Sequence, residues 1–253
     1  MSQTRELDPI DLPSAAVTWS YTKKLLGSML AYFILRHFWG RYMLTSFSQL
    51  EGHGFVAAAF GHVWFIFAWA FGLTFVAALV LRQRYVSSMP RAAQVIKGLW
   101  LSANAGIFEE VIFRGLMFLN GMVTLVFLNW LTEWLVKGGL VKWLYVHWFL
   151  PVANWATFHA LQPQLMDHRS WVFGAAIVSV TAAFRDGHKY LGPIGWVNSW
   201  FFGMVMFWLV FHYGLLTAIV AHVAYDAIIF TVRGLASEYE EDFATHLLRL
   251  IGM

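Results

Sequence analysis

Phe108-Glu109-Glu110-Val111-Ile112-Phe113-Arg114-Gly115 sets three ionisable side chains within six residues, inside a stretch, 92–131, that is otherwise poor in charge. At the centre of a bilayer each such group costs about 2.5–3.5 kcal/mol on insertion scales. Three of them so close together are there for a purpose. The stretch therefore marks a membrane-embedded helix and the candidate working centre of the chain.

The rest of the sequence agrees with a membrane setting. Of 253 residues, 59% are hydrophobic and only 12% charged, where soluble domains carry about 25%. Mean hydropathy is +0.60. Aromatic residues make up 18% of the chain, with 14 Trp, a supply suited to the belts at the two membrane interfaces. There is no Cys, which excludes disulfides and thiolate metal sites. A net charge of +3 is too small to argue for nucleic acid, and fits basic cytoplasmic loops. Residues 1–13 carry Arg5, Glu6, Asp8 and Asp11 and lack a basic segment leading into an apolar core. They do not read as a cleaved signal peptide.

Hydropathy along the chain predicts an all-α, polytopic membrane bundle of about six to eight helices, in one integral membrane domain, 1–253. Residues 1–50 read as an N-terminal interfacial helix region, because residues 19–44 hold Lys23, Lys24, Arg36, His37 and Arg41. Residues 54–81 form the clearest span, with His62 and no charged residue. Arg82, Arg84, Arg91 and Lys97 follow without an acid, which marks that loop as cytoplasmic. Residues 92–120 read as the helix carrying the acidic pair. Further apolar stretches are 140–161, interrupted by Pro151, a short one at 171–184, and two late spans at 195–213 and 215–232. Residues 162–170 and 185–192 read as polar turns, so His168 and His188 read as solvated. In residues 234–253, Leu235, Tyr239, Phe243, Leu247 and Ile251 recur every four positions, which predicts an amphipathic tail. The expected location is a bacterial cytoplasmic (inner) membrane, with membrane lipids as partners.

On a helix, positions four apart share a face, so Glu110 and Arg114 can pair. Glu109 lies five before Arg114, about 140° away at 3.6 residues per turn, and points elsewhere. A carboxylate in low dielectric without a partner holds a proton more readily, which suits a general base near neutral pH. The structural reading of the same residues is an Arg–Glu clamp between helices. His159 follows Trp155 by four in an aromatic stretch, and alone would read as a core histidine. His222 and Asp226, four apart in the last span, share a face, so the carboxylate can fix the imidazole tautomer. Polar glue between helices is the alternative. The three sets occupy three predicted helices and together match a hydrolytic inventory of base, proton shuttle and oxyanion donor.

Glu-Glu-x-x-x-Arg, a downstream aromatic-x-x-x-His and a late His-x-x-x-Asn/Asp resemble the CAAX-protease and bacteriocin-processing (CPBP, Abi) family of intramembrane endopeptidases. The resemblance covers residues 92–232. Its second motif is usually Phe-x-x-x-His; Trp155 stands for the Phe before His159. In the third, Asp226 stands where many members have Asn. An ionised Asp cannot donate to an oxyanion, so Asp226 must be protonated or orient His222. The resemblance implies Glu109 as the base that activates water with help from His159. Glu110 and Arg114 shape the site, and His222 and Asp226 stabilise the tetrahedral intermediate. It implies no cofactor and a glutamate-dependent rather than zinc-dependent reaction. The expected substrate is a peptide or membrane protein, with no nucleic acid. The competing function is a non-catalytic membrane subunit on the same scaffold that binds a partner membrane protein or pigment. A transporter is disfavoured because no pair of matching broken helices is visible.

Overall fold

Hydrocarbon offers no partner to a backbone N–H or carbonyl, so a chain this apolar must close its backbone bonds within helices. The computed structural model is all-α accordingly. It describes residues 55–79, 86–87, 90–136, 139–166, 171–236 and 238–239, and before them the helical positions Lys23, Leu26, Gly27, Leu30, Ile34 and His37. The helices are α1 (Phe55–Leu79), α2 (Arg91–Glu110), α3 (Phe118–Val136), α4 (Leu140–Leu144), α5 (Leu150–Ala156), α6 (Gln162–Leu165), α7 (Trp171–Gly187), α8 (Gly192–Tyr213) and α9 (Leu215–Ala236). Wider π-helical segments, Val111–Met117 and Tyr145–Phe149, join α2 to α3 and α4 to α5, and a 3-10 turn, Lys189–Leu191, joins α7 to α8.

Among the described residues three helical stretches are long and apolar enough to cross a membrane: Arg91–Leu135, Lys189–Tyr213 and Leu215–Ala236. The last, 22 residues long, rises about 33 Å at 1.5 Å per residue, against about 30 Å of hydrocarbon. The protein is an integral membrane protein. The two late spans predicted from hydropathy match α8 and α9.

The chain divides into two compact units, residues 1–24, 62–107 and 222–253 in one, and residues 25–61 and 108–221 in the other. In the first, α1 buries Val63, Ile66, Ala70 and Thr74, a stripe at helical spacing. Helices α2 and α9 run antiparallel at close range. A Cβ on Gly98 would lie 2.5 Å from Phe230 Cβ, and one on Gly106 2.6 Å from Val223 Cγ2. Small residues at such crossings let apolar backbones approach where no hydrophobic force drives helices together.

The second unit is built around α7. Predicted as a merely short apolar stretch, it is the core helix, with Val172, Gly174, Ala175, Ala176, Ile177, Val178, Val180, Thr181 and Phe184 all buried. It packs between α3 and α8. Phe118 anchors the crossing, with ring centroids 5.2 Å from Phe173 and 5.4 Å from Phe207. Pro151 does not interrupt the preceding stretch. It sits in the first turn of α5, where its missing N–H is not needed. The π segment ahead of it closes instead through Leu150 N–H to Tyr145 O.

Several boundaries differ from expectation. The interfacial region 1–50 lies outside the described residues apart from the positions named above. So do Arg82 and Arg84. Lys97, expected in the basic loop, lies inside α2 and is buried. Helix α9 runs on to Ala236, and Glu238–Tyr239 then forms a two-residue parallel ladder with Val86–Ser87. Residues 234–236 of the predicted amphipathic tail therefore belong to α9, and residues 238–239 are extended. Residues 240–253 lie outside the described residues.

Gly174 is the tightest point of the core. A Cβ there would run into the Tyr145 hydroxyl and the Leu165 carbonyl, which are hydrogen-bonded at 2.7 Å. At Gly121 a Cβ would meet only ordinary contacts at 3.7 and 3.8 Å. Gly174→Ala is expected to lose about 1–3 kcal/mol through overpacking and to melt earlier in detergent. Gly121→Ala is expected to melt at or above the wild-type temperature, since Ala is the better helix former by about 1 kcal/mol. Equal melting temperatures for the two variants would contradict this packing.

Candidate active site

Arg114 lies in the π segment and is fully buried. A guanidinium without water needs its charge matched and its N–H groups bonded. Its Nη1 donates to Glu110 Oε1 at 3.1 Å, and both side chains are 0% exposed. Its Nη2 donates to the Gly203 carbonyl of α8 at 3.2 Å. The Phe184 and Phe207 rings cover the planar group, 4.6 and 5.5 Å from Cζ, a cation–π arrangement. Gly203 is small because it must be: a Cβ would lie 2.9 Å from Thr181 Cγ2 and 3.5 Å from Arg114 Nη2. The spacing argument for the Glu110–Arg114 pair thus describes the geometry found.

Glu109 is placed differently from expectation. The winding changes from α to π at Val111, and i→i+5 bonding turns each residue through less than the 100° of an α-helix. Glu109 is therefore not held to the separation of about 140° from Arg114 that a regular α-helix imposes. It also has a neighbour that sequence reasoning missed: its Oε2 lies 3.8 Å from His188 Nε2. His188 follows the last residue of α7. Its Nδ1 is 2.7 Å from the Phe184 carbonyl, and its ring lies tilted against Phe184 at 4.5 Å between centroids. A carbonyl only accepts, so Nδ1 is the donor and Nε2 is the nitrogen presented to Glu109. The signal was in the sequence: Phe184-Arg185-Asp186-Gly187-His188 is an unmodified Phe-x-x-x-His.

His159, expected on a helix, lies in a turn. Helix α5 stops at Ala156, where the Thr157 hydroxyl takes the Ala153 and Asn154 carbonyls at 2.9 and 3.2 Å, a competition with helical bonding. Phe158 and His159 then take positive φ, 50° and 63°, and Pro163 opens α6. His159 is exposed. Among the described residues no hydrogen bond or ion pair joins its side chain to Glu109.

In the other unit, α9 carries His222, 3% exposed, with Nε2 3.6 Å from Asp226 Oδ2. The i,i+4 relation places them together as expected. Among the described residues no group of three His, Asp and Glu side chains is set to hold a metal ion.

The ends of α7 and α8 are joined beside His188. Asp186 Oδ1 accepts from Arg185 Nε and from Trp196 Nε1, each at 2.9 Å. Arg185 lies over the Trp196 ring, 4.0 Å from its centroid. The Arg185 and Trp196 hydrogen bonds hold the Asp186 carboxyl below the ordinary carboxylate range.

The buried pair generates a direct expectation. Arg114→Ala strands Glu110 as a buried charge, at a cost of about 3–5 kcal/mol, and is expected to reduce folded protein in detergent sharply. Glu109→Ala, at a partly exposed position beside His188, is expected to leave folded yield near wild type. Equal yields would contradict the pair's role.

Residues 91–228 match the type II CAAX prenyl endopeptidase Rce1-like family. Curated proteins and solved structures give no significant match. The matched stretch begins at the first residue of α2 and ends within α9, and so contains Glu109, Glu110, Arg114, His159, His188, His222 and Asp226. With more than half of the chain matched, the protein belongs to the type II CAAX prenyl endopeptidase Rce1-like family of CPBP intramembrane proteases.

Proposed function

We propose that the protein is an intramembrane endopeptidase that hydrolyses a peptide bond in a membrane-associated protein or peptide through a glutamate-activated water. The observation that carries this reading is the approach of Glu109 Oε2 to His188 Nε2, 3.8 Å, beside a Glu110 carboxylate already bonded to Arg114. One carboxylate is occupied by structure; the other faces a histidine able to carry a proton.

In this reading Glu109 removes a proton from water as the hydroxide adds to the scissile carbonyl carbon. His188 carries the proton to the departing amine, and the C–N bond breaks to give a carboxylate and an amine. The role assigned to His159 from the aromatic-x-x-x-His pattern passes to His188, which meets the same pattern with a true Phe. His222 and Asp226, which complete the family motif, are proposed as a pair in which the Asp226 carboxylate orients the His222 ring. The family's description names CAAX prenyl proteins; for this chain the reading keeps to the peptide bond and the membrane-associated substrate. Membrane lipids and that substrate are its partners.

The reading is metal-free. A zinc hydrolase uses about three protein ligands and one open position. Using Glu109 as a ligand would leave Glu110, already paired with Arg114, as the base. Glu109→Gln is expected to abolish cleavage, by at least about 10²-fold, in protein with a wild-type melting temperature. Asp226→Asn is expected to keep measurable activity, since Asn can still orient or donate. Stoichiometric zinc in active protein, with activity lost on chelation and restored by zinc, would contradict the metal-free reading.

The proposed location is a bacterial cytoplasmic membrane with the loop between α1 and α2 on the cytoplasmic side, because the basic excess at Arg82, Arg84 and Arg91 sets orientation. A reporter fused at Ser88 is expected to read as cytoplasmic. A translocated reading would reverse the topology.

A further inference from the structure

We propose that Asp186 and Trp196 are positioning residues that hold His188 in the tautomer and orientation facing Glu109. Its catalytic consequence rests on the protease reading above; its structural content does not.

His188 sits where a side chain is hard to fix. Helix α7 ends at Gly187, and the 3-10 turn Lys189–Leu191 follows. Gly192 then turns the chain with φ 78°. Burial does not fix this turn: Tyr190 is 78% exposed, Leu191 44% and, at the start of α8, Ile194 70%. Polar contacts bracket it instead. On one side the His188 N–H donates to Arg185 O at 3.0 Å. On the other, one oxygen of Asp186 receives Trp196 Nε1 from α8 and Arg185 Nε from its own helix. Arg185 is sandwiched against Trp196 and Trp200, 4.0 and 5.6 Å from their centroids. Asp186 and Trp196 thus tie the last turn of α7 to α8 across the segment that carries His188.

The geometry of His188 makes the tie matter. With Nδ1 donating to Phe184 O, the imidazole has one nitrogen left for Glu109, at 3.8 Å. Proton transfer needs about 2.6–3.2 Å, or one intervening water. A small opening of the 187–192 turn releases Nδ1 from its carbonyl, lets the ring rotate, and carries Nε2 out of reach.

The test uses the full chain in detergent, labelled with 15N-histidine, with His188 signals assigned by a His188→Gln variant. Wild type is expected to show His188 held as the Nδ1–H tautomer. Asp186→Ala should give averaged tautomer signals and lower kcat by roughly tenfold or more, with KM within about twofold, because positioned proton transfer contributes about 10²–10⁴-fold. Asp186→Asn, which keeps the acceptor oxygen, should restore both. Trp196→Phe keeps an aromatic ring for Arg185 and removes the N–H donor; it should reproduce the loss, and it carries the test if Asp186→Ala fails to fold. Unchanged His188 signals in Asp186→Ala or Trp196→Phe would overturn the proposal, as would wild-type kcat in either. Tautomer signals that move in protein lacking Glu109-dependent cleavage would uphold the positioning and overturn the protease reading instead.

Discussion

The buried Arg114 is the constraint from which the rest of the second unit follows. A guanidinium at zero exposure keeps its charge only where an anion, acceptors and polarisable faces replace water. The replacements come from three helices. Glu110 comes from α2, the Gly203 carbonyl from α8, and the Phe184 and Phe207 rings from α7 and α8. Matching this one charge therefore fixes α7 and α8 against the π segment, and it fixes Gly203 as a residue without a side chain. An ion pair of this kind is weak evidence of net stability and better evidence of a specified arrangement.

That arrangement separates the two glutamates. Glu110 is consumed by Arg114. Glu109, one residue earlier, meets the C-terminal end of α7, where Phe184 serves twice. Its ring covers Arg114, and its carbonyl sets the tautomer of His188. The same residue thus touches both the buried ion pair and the histidine that approaches Glu109. The π winding at Val111–Met117 directly follows the two glutamates and carries Arg114, and widened turns of this kind recur at functional sites.

Much of this was legible in the chain. Spacing alone gave Glu110–Arg114 and His222–Asp226, because i,i+4 geometry is local and survives any tertiary context. Hydropathy gave the two late spans. What failed was non-local. Nothing in residues 171–184 says that they form a core helix buried on most of its faces, since an apolar run reads alike against lipid and against protein. His188 reads as solvated because it lies among Arg185, Asp186 and Lys189, yet Arg185 and Asp186 bond each other, Asp186 also accepts from Trp196, and the histidine faces Glu109. His159 meets the aromatic-x-x-x-His pattern through Trp155, and the two positive-φ residues, Phe158 and His159, that follow α5 have no glycine to announce them.

The central claim is that Glu109 and His188 act as one unit while Glu110 is bound up in structure. A double-mutant cycle on kcat tests it directly, with Glu109→Gln, His188→Ala and the double variant assayed on one cleavable substrate. Residues that act as a unit are strongly non-additive. The account predicts that the double variant is no slower than the slower single variant. Losses that multiply, as they do for independent sites, would contradict it.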